Sequence, residues 1–150
     1  MDLSSALSIK TTEIVRPPIL PVGIYRAAVK GPPKKEMRKE YEILEFTMQI
    51  IEPIDGVDMD ALQAYGTIGP QTTLRYAFLF NSADQVNFAR SLFYLKQFLT
   101  KTLGSEDNDQ SLKELILASN GRQCQVQVYW QPDPQDPEIQ HAKIGKSAAI

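Results

Sequence analysis

The spacing of apolar residues changes twice along this chain, and those two changes constrain its fold more than any other feature. From Gly23, Tyr25, Ala27 and Val29 alternate with Arg26, Ala28 and Lys30. A second run sets Leu44, Phe46, Met48 and Ile50 against Glu45, Thr47 and Gln49. A third, from about Thr72 to Phe80, sets Leu74, Tyr76, Phe78 and Phe80 against Thr73, Arg75, Ala77 and Leu79. A period of two puts alternate side chains on opposite faces, so each run predicts an antiparallel strand with one face buried. The period then lengthens. Phe88, Leu92, Leu95 and Leu99 recur at i, i+4, i+7 and i+11, joined by Val86, Ala89 and Phe93, which predicts a helix with one broad buried face. Ser82-Ala83-Asp84-Gln85 reads as its capping box and Gly104 as the glycine beyond its end. A second capping box, Ser111 to Glu114, opens a short helix with Leu112, Leu115, Ile116 and Leu117 that closes at Asn120-Gly121. Period two returns in Cys124, Val126, Val128 and Trp130, which alternate with Gln123, Gln125, Gln127 and Tyr129. After a proline-acidic loop over 132–137, a last short strand is predicted around Ile139 to Ile144.

The resulting order, β-β-β-α-α-β-β, is that of a mainly β, five-stranded OB-fold: a Greek-key barrel with one long and one short helix between strands 3 and 4. A two-layer α+β sandwich with the same order is the structural rival. At 150 residues the chain is one domain by length and can bury about two-thirds of its unfolded surface. Pro17-Pro18 and Pro21 separate a flexible N-terminal segment, 1–18, from the predicted domain at 19–146, with a short C-terminal end at 147–150. Residues 56–70, with Gly66, Gly69 and Pro70, read as a loop. The step from Tyr41 and Ile43 to Leu44 and Phe46 breaks strict alternation and predicts a bulge near 43–44. No apolar run approaches the roughly 18 residues of a membrane span. The N-terminus lacks the pattern of a signal peptide, and the single cysteine suits a reducing compartment. Together these point to a cytoplasmic protein without a membrane partner.

Charge supplies the functional clue. Lys30, Lys34, Lys35, Arg38 and Lys39 against Glu36 give the segment 30–39 a charge of +4. The chain as a whole carries −2, so everything outside that hook carries −6. A local anion grip on a polyanion-repelling body suggests a nucleic-acid backbone as ligand. Its bland counterpart is a charged tip that keeps a sheet edge soluble. In an OB barrel the hook is the strand 1–2 loop, one of the loops that hold oligonucleotides or oligosaccharides. Single strands need cations along their phosphates and flat rings under their bases. Pleat parity selects Arg26, Lys30, Lys34, Lys35, Arg38, Lys39 and Arg75 for phosphates, with Tyr41 and Tyr129 for stacking. Trp130 is either a rim stacker or the cap of the core. Tyr76, Phe78, Phe80, Phe88, Phe93 and Phe98 read as core rings.

Catalysis and cofactors find little footing. His141 is the only histidine and Cys124 the only cysteine, so neither a metal site nor a Cys-His nucleophile pair is expected. Cys124, in phase with the core valines, reads as a small hydrophobe. The acidic groups at 106–109 and 133–138 lack calcium-loop spacing. Gly66-Thr67-Ile68-Gly69-Pro70 has neither the lysine nor the helix start of a phosphate-cradling loop. The expectation is a non-enzyme with no cofactor.

Gly23-Ile24-Tyr25-Arg26-Ala27-Ala28-Val29 resembles the G-x-Y-x-A-x-V opening strand of small bacteriophage single-stranded-DNA-binding proteins of the OB type. Leu44-Glu45-Phe46-Thr47-Met48-Gln49-Ile50 is similar to their second strand. Ala89 to Gly104, with Asn120-Gly121-Arg122 leading into the Val126 strand, is similar to their central helix and fourth strand. The resemblance covers roughly residues 20–145. It implies sequence-independent binding and protection of single-stranded DNA during phage replication or recombination, in the host cell cytoplasm, with replication or recombination proteins as further partners. Many of these proteins end in an acidic tail. This sequence ends Lys143-Ile144-Gly145-Lys146-Ser147-Ala148-Ala149-Ile150, so no tail-borne partner contact is carried over. The competing functional class is a protein-interaction module of a replication or virion assembly, its basic loop meeting an acidic partner. Oligomeric state is left open by the residues.

Overall fold

The computed structural model describes residues 2–106 and 109–150. A short helix α1 (Leu3–Ala6) and a 3-10 turn at Thr11–Glu13 precede an extended segment that leads into the sheet. The strands are β1 (Gly23–Val29), β2 (Lys34–Arg38), β3 (Tyr41–Asp55), β4 (Thr73–Asn81), β5 (Gln123–Pro132) and β6 (Gln140–Ala148). All pairings are antiparallel, in the order β2-β3-β1-β5-β6, with β4 on the other edge of β3. There are six strands rather than five because the basic hook is itself a strand. Lys34–Arg38 folds back on Tyr41–Glu45, with Lys39 at φ +57° in the turn. The 15-residue β3 therefore takes β2 along its first half and β1 along its second.

The curvature of β3 comes from its second half. Against β1 its register slips twice, which leaves Ile51 and Ile54 as extra residues. No bulge forms near 43–44, where β3 pairs continuously with both β2 and β4. Ile43 is instead buried on the face opposite Leu44, where it stands across from Glu36 and Leu79. The sheet is open: among the described residues no ladder joins β4 to β6. Their edges nonetheless approach, and the Tyr76 and Ser147 hydroxyls lie 3.1 Å apart.

The interior of the curved sheet collects Tyr25, Ala27, Val29, Phe46, Met48, Ile50, Cys124, Val126 and Val128, all buried. Helix α2 (Met59–Tyr65) occupies the span expected to be a loop, its N-terminus capped by Asp58 and its Leu62 buried. Seven residues are too few for a helical period to stand out. Helix α3 (Gln85–Gln97) continues into a π-helical turn at Phe98–Thr102, and α4 (Leu112–Leu117) follows with Ser111 as its cap. The cap of α3 is Asp84, which accepts from the Asn87 amide, not Ser82; Asn81 already closes the preceding turn by accepting from Ala83. Phe46, Tyr76, Phe78 and Phe98 pack at 5.1–5.9 Å, edge to face except for the tilted pair Phe78–Phe98, and fasten the π turn to β3 and β4. The buried face of α3 is narrower than expected. Leu95, Phe98 and Leu99 are buried and Phe88 half-buried, but Val86, Leu92 and Phe93 are exposed, Phe93 by 55%. Among the described residues the helix meets the sheet chiefly along β4, so a stripe one turn wide suffices to cover it.

Candidate functional site

Two concave surfaces flank the basic hairpin. The larger is an open groove of about 1220 Å³ over the outer faces of β3, β4, β5 and β6. Because β4 and β6 edges approach, the outward residues of both face one channel. Arg75 enters it from β4; Lys143 and His141 come from β6; Tyr129 and Gln131 come from β5. The hairpin contributes Arg38, and Tyr65 of α2 and Pro18–Leu20 of the N-terminal segment complete the walls.

The positive groups here are held loosely. Arg75 Nε lies 3.4 Å from Glu45 Oε1 and Arg38 Nη2 lies 3.3 Å from Glu36 Oε1. The Arg38–Glu36 pair is exposed on both sides and worth about 0–1 kcal/mol, so an incoming phosphate can replace that carboxylate at small cost, whereas Arg75 is exposed but its partner Glu45 is half-buried. Tyr129 stands opposite Lys143 and is 41% exposed. Its ring lies against the backbone of Gly145, where a Cβ would come within 3.2 Å of the ring. A glycine at that position lets the phenol lie along the sheet with its other face to solvent. At one end of the groove, His141 Nε2 is 2.9 Å from Asp133 Oδ2. That contact, with the Gln135 amide, holds the Asp133 carboxyl below its ordinary range.

The sequence-predicted residues divide sharply. Arg38, Arg75 and Tyr129 come together in the groove, and Lys34, opposite Glu45, shares its side of the hairpin. Tyr41 is half-buried opposite Arg38 and Asn81. Lys39 is exposed in the hairpin turn. Lys35 lies on the other side of β2, opposite Leu44. Arg26 is engaged elsewhere: its Nε donates to Glu52 at 2.9 Å and its Nη1 to Gln123 at 3.1 Å. Lys30 donates to the Pro70 carbonyl at 2.8 Å. Trp130, 44% exposed, points to the core side opposite Ala142, and its Nε1 donates to the Leu20 carbonyl at 2.8 Å. Sequence reasoning missed Lys143, His141, Gln131 and Tyr65. Parity could have found Lys143, since Ala142 and Ile144 on either side of it pack inward. Nothing in the sequence marks Tyr65.

The second concavity, about 450 Å³, lies between the hairpin and the helices. Ile43, Leu44, Phe80, Phe88, Leu92 and Leu95 line it, with Lys35 and Met37 from β2 at its rim. Cys124 offers no chemistry to either surface, because burial pushes its thiol up to about 11 and keeps it protonated. Among the described residues no helix is long and apolar enough to cross a membrane. No protein-family model matches the chain, and no curated protein matches it.

Proposed function

We propose that the protein binds single-stranded DNA without regard to sequence, holding the strand in the β3–β6 groove. The observation that carries this reading is the groove itself. Arg38, Arg75 and Lys143 spread along one open channel beside the flat, exposed ring of Tyr129. Cations on a backbone track with a ring for base stacking are what a sequence-tolerant single-strand site requires. The fold part of the proposal is an OB-type barrel. The order β4-β3-β1-β5-β6, with β4 and β6 edges meeting at Tyr76 and Ser147, supports it, the β2 hairpin being an elaborated loop between the first two barrel strands. The resemblance of Gly23–Val29 to phage single-strand binders supports a role in replication or recombination, with the coated strand shielded from pairing and nucleases.

Among the described residues no element is shaped for a duplex. Helix α3 packs along β4, with the Ser91 hydroxyl donating to the Leu79 carbonyl at 2.7 Å, and its exposed side carries the rings of Phe93 and Tyr94 rather than the polar base-reading side chains of a recognition helix. The test is an electrophoretic shift with labelled oligo-dT against a duplex of equal length, repeated with RNA. We expect at least tenfold weaker binding to the duplex at moderate salt, and equal affinity would overturn the reading. The apolar cleft beside the hairpin favours a second reading, a protein-interaction module. Binding to neither form of DNA would select it.

A further inference from the structure

The groove does not end at β4. Ala77 and Leu79, which line it, also line a depression of about 470 Å³ against α3 that reaches Ser91, Tyr94 and Gln97. Gln97 in turn borders a third depression, of about 310 Å³, with Phe93, Lys96, Lys101 and Ser105. Sharing Ala77 and Leu79, then Gln97, these three concavities succeed one another from the sheet across the solvent side of the helix, here called the trough. Arg90, Phe93, Tyr94, Gln97 and Lys101 recur at i, i+3, i+4, i+7 and i+11, so they share one stripe of α3 and its π turn. Phe93 and Tyr94 are 55% and 56% exposed, an unusual state for two neighbouring aromatic rings with a core within reach. The charge on this stretch has one sign. Between Asp84 and Glu106 there is no acidic residue, while Arg90, Lys96 and Lys101 are all basic, in a chain whose net charge is −2. At the far end of the trough, Ser105 is 94% buried and its hydroxyl has no hydrogen-bond partner among the described residues, an unmet polar group that a ligand oxygen or its water could satisfy.

We propose that a single strand leaving the groove continues past Ala77 and Leu79 onto α3, where Tyr94 and Phe93 take bases and Arg90 and Lys101 take phosphates. This rests on the groove being a single-strand site. Continuity with the groove favours nucleic acid over an acidic protein here, as do planar rings set among cations with no carboxylate between them.

Oligo-dT series on the full chain test this by fluorescence anisotropy. With a strand of about five nucleotides, which fits the groove alone, Tyr94→Ala and Phe93→Ala should bind like wild type. With about twenty nucleotides each should lose roughly 5- to 150-fold in affinity, the range expected for one lost base–ring stack. Tyr94→Phe should restore the long-strand affinity, since it keeps the ring. Lys101→Ala should flatten the salt dependence of long-strand binding by a log–log slope of about 0.7 and leave that of the short strand unchanged. Wild type that binds no oligo-dT removes the groove reading, and this one with it. Wild type that binds both lengths, while the alanine variants match it on the long strand, removes the α3 path alone. Poly-glutamate displacing the long strand as well as unlabelled oligo-dT does would overturn it in favour of an acidic protein partner.

Discussion

The groove and the cleft lie on opposite sides of one hairpin, and alternate residues of β2 serve different surfaces. Lys34 and Arg38 stand with Glu45 and Tyr41 on the groove side; Lys35 and Met37 stand with Leu44 and Glu42 on the cleft side. The groove is walled by exposed arginines, a lysine and a phenol, the cleft by Phe80, Phe88 and Leu95. A local charge of +4 is therefore not one site. The pleat divides it, and only part of that charge can follow a strand in the groove.

The strongest way to break this division is at the floor of the cleft. Leu95 is 3% exposed, so Leu95→Ala should destabilise the fold by about 2–5 kcal/mol. Below its melting transition the variant should bind oligo-dT like wild type. Binding lost in the folded variant would show the two surfaces to be coupled.

A smaller effect separates neighbours on β5. Tyr129→Ala should leave thermal melting nearly unchanged and weaken oligo-dT binding by about 1–3 kcal/mol, the worth of one stacked base. Trp130→Ala should do the reverse. It loses apolar packing and the Nε1 bond to Leu20, so melting should fall by the equivalent of about 1–3 kcal/mol while affinity holds. Parallel loss of affinity in both variants would place Trp130 in the binding surface.

The groove wall formed by Pro18–Leu20 is held in part by Tyr25, whose hydroxyl donates to the Pro21 carbonyl at 2.7 Å. Burial, reinforced by the nearby Tyr65, pushes the Tyr25 phenol up from 10.0 to about 12. The folded state thus favours the protonated form. Its contribution is fully present below pH 10 and is lost as pH rises toward 12. Urea unfolding across that window should show stability falling in wild type and a shallower fall in Tyr25→Phe. Identical slopes would detach Tyr25 from the wall.

The least effect, and the sharpest discrimination, lies within the hairpin. Arg38→Ala should flatten the log–log salt dependence of oligo-dT binding by about 0.7, one released counterion's worth. Lys35→Ala, on the cleft side, should leave the slope where it was. Equal changes would mean that the hairpin acts as a diffuse charge rather than through one face.

Much of the sheet was legible from periodicity. In β4 every alternate residue from Leu74 to Phe80 turns inward and Arg75 outward, as the pattern requires. The outward set of β5 likewise places Tyr129 in the groove. The helix was less legible. Phe93 fits an apolar helical pattern, yet it lies outside because among the described residues the sheet covers α3 chiefly through β4. How wide a helix face is buried depends on the width of its partner, which no local pattern encodes. The hook escaped for a related reason. Lys34–Arg38 has no apolar alternation, because a strand at a sheet edge needs only backbone partners to form.

By itself the sequence determined the order of the main elements, the inward face of each core strand and the concentration of positive charge at 30–39. These follow from chain stereochemistry, which fixes a period of two or of 3.6 residues by residue. Tertiary structure alone decided which cations share a surface. Arg75 and Lys143 lie far apart in sequence and meet because the bulged β3 curls the sheet until β4 and β6 nearly touch. Pairing register gives Arg26 instead to Glu52, its neighbour across the β1–β3 ladder, and Lys30 reaches the Pro70 carbonyl. Closure of a sheet depends on twist and register summed over all its strands, and no single segment carries that sum.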